Sequence, residues 1–254
     1  MSKSIRGICL LIVLWSSIVV PLRAQNNPYV DDKLLHFGFF LGMDFLSYDI
    51  EEYSAEEQQK LSPFQSDTTY HVRVSAPSMG FAVGFITDLR LTRYLSLRFS
   101  PALHFGQRTI RYTSDDIAEN EIHGNSCPNN KPNLLSIPIS VPLYLKWSAE
   151  REVNYRPYVM AGGGVSYDVV RDKEKVILTK PFDCFVEVGF GCDFYFRWFK
   201  FCPELRYRVG FLDKITSIAD GENVGWQPSK QDHFYTNTIR KMTNQQLSLI
   251  FNFE

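Results

Sequence analysis

Residues 95–105, LSLRFSPALHF, place Leu95, Leu97, Phe99, Pro101, Leu103 and Phe105 at odd positions and Ser96, Arg98, Ser100, Ala102 and His104 at even ones. Successive side chains of a β-strand point to opposite faces, so the stretch predicts a strand with one apolar face and one polar or small face. Residues 35–45 read the same way: Leu35, Phe37, Phe39, Leu41, Met43 and Phe45 oppose His36, Gly38, Phe40, Gly42 and Asp44. At 199–211, Phe199, Phe201, Leu205, Tyr207, Val209 and Phe211 oppose Lys200, Glu204, Arg206, Arg208 and Gly210.

Working outward, eight such segments are found, roughly at 34–48, 73–90, 94–112, 134–148, 155–170, 182–197, 199–212 and 245–254. They are long for globular strands, which average five or six residues, and suit transmembrane strands of about 9–11. Long and short connections alternate: Leu91–Arg93, Ala149–Asn154 and Trp198–Phe199 are short, and the joins between them are long. Outer-membrane barrels sort their loops in this way, long outside and short on the periplasmic side. The expected fold is therefore all-β, an eight-stranded antiparallel up-and-down transmembrane barrel with both termini in the periplasm. In hydrocarbon an unpaired backbone group costs several kcal/mol, and closure removes both sheet edges. Pro77, Pro101, Pro138, Pro142, Pro157 and Pro203 fall inside the proposed strands, where each removes a ladder hydrogen bond, so bulges or strand ends are expected there. Phe253 stands one place before Glu254, whereas many barrels finish on an aromatic residue.

Composition agrees with a folded chain. The 254 residues are 44% hydrophobic, 22% charged and 15% aromatic, too apolar for disorder. The net charge of -1 leaves no basic footprint for nucleic acid. Residues 1–24 read as a cleaved secretory signal: Lys3 and Arg6, the apolar run Ile8–Val20, then Pro21 and Ala24. Residues 25–254 then form one barrel domain, localised to the outer membrane. Loss of Lys3, Arg6 and Arg23 leaves 24 basic against 28 acidic groups, a net charge of -4. Cys127, Cys184, Cys192 and Cys202 remain, with no CxxC pair, and are expected as free thiols.

Inward parity collects Asp44, Arg98, Lys146, Arg156, Glu187, Asp193, Arg197, Lys200, Glu204, Arg206 and Arg208. An eight-stranded barrel is about wide enough to be filled by side chains, and charges buried at this density must pair. One ion-pair network is expected from Glu187, Asp193 and Glu204 with Arg197, Arg206 and Arg208. Gly38, Gly42, Gly80, Gly84, Gly162, Gly164, Gly189 and Gly191 share the parity and would make room for long Arg side chains. Catalytic signals are weak. No His pair has metal-ligand spacing, no phosphate-binding glycine loop and no GxSxG motif occurs, and no cofactor or small-molecule substrate is expected. His36 and His104 point inward, and a histidine beside Asp44 could serve as a base, although a satisfied interior polar residue is the plainer reading. The acidic loop after the first strand (Asp49, Glu51, Glu52, Glu56, Glu57 and Asp67, against Lys60) reads as a solvated exterior loop. The loop Asp213–Asn244 carries Ile218, Trp226, Phe234 and Tyr235 and is expected to dock onto a partner.

DDKLLHFGFFLGMDF (31–45) resembles the opening strand of the PorT barrel proteins, and MGFAVGFITDLRLTRYLSLRFSPALHFGQRTIRY (79–112) resembles their second hairpin. SIPISVPLYLKW (136–147), YRPYVMAGGGVSYDV (155–169), VEVGFGCDFYF (186–196) and FKFCPELRYRVG (199–210) continue in the same order. The resemblance implies a non-enzymatic outer-membrane component required for type IX protein secretion in Gram-negative bacteria. Its partners would be outer-membrane lipid and the proteins of a secretion machine, and no catalytic residues carry over. Two other functions fit the same residues: a small structural or adhesion barrel without a secretion role, and a barrel hydrolase.

Overall fold

In the computed structural model the described residues are 31, 33–61, 69–74, 77–114, 132–170, 176–227 and 233–254. The proposed signal segment, Asp67 and Cys127 lie outside them. Among the described residues are eleven strands: β1 (Leu35–Glu52), β2 (Tyr70–Val74), β3 (Ser78–Arg90), β4 (Leu95–Phe99), β5 (Ala102–Ser114), β6 (Asn133–Ser136), β7 (Pro138–Ser148), β8 (Tyr155–Asp168), β9 (Phe182–Tyr195), β10 (Lys200–Gly210) and β11 (Ile239–Phe253). They form eight staves, because β4 with β5 and β6 with β7 are each one stave interrupted, and β2 continues β3 toward the long loops. Every ladder is antiparallel, and β1 pairs with both β3 and β11, which closes the ring.

The alternation seen in the sequence is the alternation of the wall. On β1, Phe37, Phe39, Leu41 and Met43 are exposed, while Phe40, Gly42, Asp44 and Leu46 are buried. On β7, Val141, Leu143, Leu145 and Trp147 face out, and Tyr144 and Lys146 face in. A belt this wide of exposed large apolar side chains exceeds what a water-soluble surface carries and suits lipid. Aromatic residues gather at the short-turn end. Trp147 is 60% exposed and Trp198 83%. Phe196 stacks on Phe199, which lies beside Phe253. That is the place of an interfacial girdle.

The prolines divide. Pro101 lies between β4 and β5, and Pro138 opens β7. Pro142, Pro157 and Pro203 instead sit inside unbroken strands with no shift of register, which corrects the expectation of a bulge or strand end at each. Two of them aim their missing donor where no partner is lost. The Pro142 carbonyl accepts from Ser100 N, so its nitrogen faces the break at Ser100–Pro101. The Pro157 carbonyl accepts from Ala149 N, so its nitrogen faces the start of the β7–β8 turn.

The last long loop is a second correction. β11 begins at Ile239, so residues 239–244 belong to a strand and not to a loop. A short helix, α1 (Ala55–Leu61), follows β1, and helices α2 (Ile218–Asn223) and α3 (His233–Asn237) lie between β10 and β11. Ser217 caps α2 by accepting from Asp220 N at 3.2 Å. Trp226 and Tyr235, expected to dock onto a partner, are 1% and 0% exposed. Phe234 and Ile218 are half-buried. The loop folds inward because its apolar side chains find apolar company on the loop ends of the strands. Tyr235 joins Tyr48, Ile110, Tyr112, Ile239 and Met242 in one cluster. The Tyr112 hydroxyl donates to the Tyr235 carbonyl at 2.6 Å. The lumen is therefore not uniformly charged, as parity alone suggested, but carries an apolar cluster at its long-loop end.

Truncating Tyr235 to Ala should remove the ring at the centre of this cluster and lower stability by about 3–5 kcal/mol, the usual cost of deleting a large buried aromatic. Urea unfolding of the refolded protein checks the size. Limited proteolysis should cut the β10–β11 connection sooner while far-ultraviolet circular dichroism of the barrel stays unchanged.

Candidate functional site

The lumen below this cluster holds the charged groups. Inward positions of β9 and β10 supply Glu187, Asp193, Lys200, Glu204, Arg206 and Arg208, all buried. Arg98 comes from β4, Lys146 from β7 and Asp88 from β3. Arg98 is 0% exposed and is the hub. Its Nε and Nη2 donate to the two carboxylate oxygens of Asp88 at 2.6 and 2.7 Å, and Nη2 also reaches Glu254 at 2.7 Å. Its Nη1 donates to Glu204. From Glu204 the pairing passes to Arg206, which lies 3.8 Å from Glu187, and Glu187 accepts from Arg208 Nε at 2.6 Å. On the other side, Lys146 contacts Asp88 at 3.7 Å and Asp193 at 3.2 Å, and Lys200 joins Asp193 at 3.8 Å and Glu254. Five cations and five carboxylates thus form one connected, charge-balanced set.

Tyrosines complete the set. The Tyr144 hydroxyl donates to Glu187 at 2.7 Å and that of Tyr158 to Glu204. Lys146 Nζ stands 3.8 Å from the Tyr158 ring centroid, and the Arg208 guanidinium 3.9 Å from that of Phe185. Two of the inward glycines make room for these rings. A Cβ on Gly191 would come within 2.6 Å of the Tyr158 hydroxyl, and one on Gly162 within 2.8 Å of Tyr144 Cδ1. Gly189 stands against an arginine, with Arg206 Cγ 3.2 Å from where its Cβ would be.

Parity brings together Arg98, Glu187, Asp193, Glu204, Arg206 and Arg208. It does not bring in Arg197, which is exposed in the β9–β10 turn with its guanidinium 5.2 Å from the Trp198 ring. Extrapolating the strand alternation two residues past the end of β9 put it in the lumen; the chain has already turned. Arg156 sits at the short-turn rim, donating to the carbonyls of Ala149 and Arg93. Asp88 and Glu254 were missed, although both continue an inward even series, Asp88 after Ala82, Gly84 and Ile86, and Glu254 after Ile250 and Asn252.

Asp44 belongs to a separate group. Its carboxylate takes His104 Nδ1 at 2.8 Å and the Ser248 hydroxyl at 2.6 Å, and His104 Nε2 lies 2.9 Å from Ser140 Oγ. Serine, imidazole and carboxylate stand in the order used by nucleophilic hydrolases. Here Ser140 is 0% exposed, so its hydroxyl is closed to a substrate, and the arrangement satisfies buried polar groups. His36 lies apart from it, half-buried at the opposite, short-turn mouth.

Replacing Arg98 with Ala should strand Asp88, Glu204 and Glu254 without their shared cation and cost about 3–5 kcal/mol, read as the urea midpoint of refolded protein. Adding Glu204→Gln to that variant should recover part of the loss.

The chain matches the family described as outer membrane protein beta-barrel domain over residues 23–215. No curated protein is similar enough to count as a relative. Among solved structures, Neisserial surface protein A (NspA) is similar at 9% identity over 87% of this chain and 98% of that one, with a TM-score of 0.42. The outer membrane protein OprG from Pseudomonas aeruginosa is similar at 12% identity over 85% and 94%, with a TM-score of 0.40. A closed ring of eight staves, an apolar exterior and a family match over most of the chain agree: this protein belongs to the outer-membrane β-barrel family and resides in the outer membrane.

Proposed function

We propose that the protein is a non-enzymatic PorT-type component of type IX secretion that acts through contacts at its rims, and that nothing passes through its barrel. The observation that carries this reading is the filled lumen. A charge-balanced plug occupies the short-turn half, and an apolar cluster packs between the strands toward the long-loop end. A barrel filled at two levels offers partners its ends and outer wall. The ordered likeness of residues 31–45, 79–112, 136–147, 155–169, 186–196 and 199–210 to PorT strands supports the secretion role.

Deletion of the gene should abolish export of type IX cargo while the outer membrane keeps its barrier to detergents and large antibiotics. Export restored by Ser140→Ala would support a structural, non-hydrolytic role for the His104 cluster. Unchanged export after deletion would instead favour a small structural or adhesion barrel. Independently, the purified protein in planar bilayers should give no steady conductance; an open-state current like that of a water-filled pore would overturn the filled-lumen reading.

A further inference from the structure

The lipid-facing wall is not evenly filled. Over β7–β11 it carries a hollow of about 650 Å³, within the range of about 300–1,000 Å³ that suits a small ligand. Two rows of outward side chains frame it. In one, Trp147, Val159 and Phe190 stand side by side on β7, β8 and β9. In the next, Ala161 and Val188 lie between Leu145 of β7 and Tyr207 of β10. Small side chains on the middle staves and large ones on the flanks make the depression. Gly189 also lines it, and a glycine brings only main chain, so the hollow reaches the wall itself.

None of the outward side chains around the hollow is charged, and it is continuous with the apolar belt that faces hydrocarbon. Its occupant is therefore a membrane component, and width decides which. The staves that carry Trp147 and Phe190 are two strand spacings apart, about 9–10 Å, and their side chains narrow the gap further. A transmembrane helix is about 10–12 Å across with its side chains and would rest on those two rims, above the floor. A hydrocarbon chain, thin and flexible, reaches Val159 and Ala161. Hydrocarbon gains nothing by leaving hydrocarbon, so the preference comes from packing: floor atoms without neighbours forfeit dispersion contacts that a chain restores. Trp147 belongs to the girdle at the short-turn end, so the chain comes from the periplasmic leaflet.

We infer that this hollow is a lipid-binding site that retains one acyl chain of a periplasmic-leaflet phospholipid, while lipid along the rest of the wall exchanges freely. The inference rests on the outer-membrane placement of the barrel and holds whichever secretion or anchoring role it has. The site reads the chain and not the headgroup.

The test releases the refolded mature protein from dioleoylphosphatidylcholine nanodiscs and counts retained lipid by native mass spectrometry. The wild type should keep one phospholipid. Ala161→Trp fills the hollow from its floor and should lower that occupancy about tenfold or more, because the packing contacts are already taken. Val188→Trp should do the same and replaces Ala161→Trp if heat-modifiable migration on gels shows that the latter does not refold. Leu41→Trp, an exposed outward position on β1 outside the hollow, should leave the occupancy unchanged. Nanodiscs of dioleoylphosphatidylglycerol should give the same occupancy, because no outward charge lines the hollow. No retained lipid in the wild type, equal retention by the filled variants, or retention that requires one headgroup would overturn the proposal. So would a dimer that Ala161→Trp dissolves, since a second copy of the chain and not a lipid would then occupy the hollow.

Discussion

A charge turned away from lipid into a barrel too narrow for bulk water must find its counter-charge on a neighbouring stave, and this requirement organises the molecule. Arg98 shows it most plainly. With no exposure, one guanidinium holds carboxylates from β3, from β10 and from Glu254 beyond β11, so the wall is fastened from the inside across a circle of strands. The backbone ladders close the ring, and the ion pairs hold its cross-section filled.

The filling is layered. Toward the short turns the lumen is ionic, with tyrosine hydroxyls as secondary donors and glycines set opposite the tyrosine rings. Midway, Phe40, Ala82, Ile86, Ala102 and Ile250 form a small apolar patch on one wall. Toward the long loops the strands themselves turn apolar inside, at Ile110, Tyr112 and Met242, and the β10–β11 connection supplies Tyr235 to that layer. The two ends are filled by two different means, paired charge in one and hydrophobic contact in the other. Such a barrel presents partners with rims and loops, and at its periplasmic rim Asp31 is held by Tyr195, Arg151 and Arg156.

Where expectation and structure part, the reason is a limit on local reasoning. The alternation assigned Arg197 to the lumen because it knows nothing of where β9 stops. It marked Pro142, Pro157 and Pro203 as interruptions because it does not say toward which neighbour a missing donor points. It read Trp226 and Tyr235 as unpartnered because apolar residues in a loop look alike whether their partner is another protein or the protein's own strands.

The amino-acid order by itself determined the period of two, the number of staves, the sorting of short turns from long loops and the face on which nearly every strand residue lies. All of these depend on residues a few positions apart, and each is repeated along the chain. The tertiary structure decided which cation meets which carboxylate, that Asp88 and Glu254 complete the plug, that the last long loop packs against the strands, and that Asp31 sits among Tyr195, Arg151 and Arg156. Those contacts join positions as far apart as Arg98 and Glu254, 156 residues along the chain, and only closure of the ring brings them within hydrogen-bonding distance.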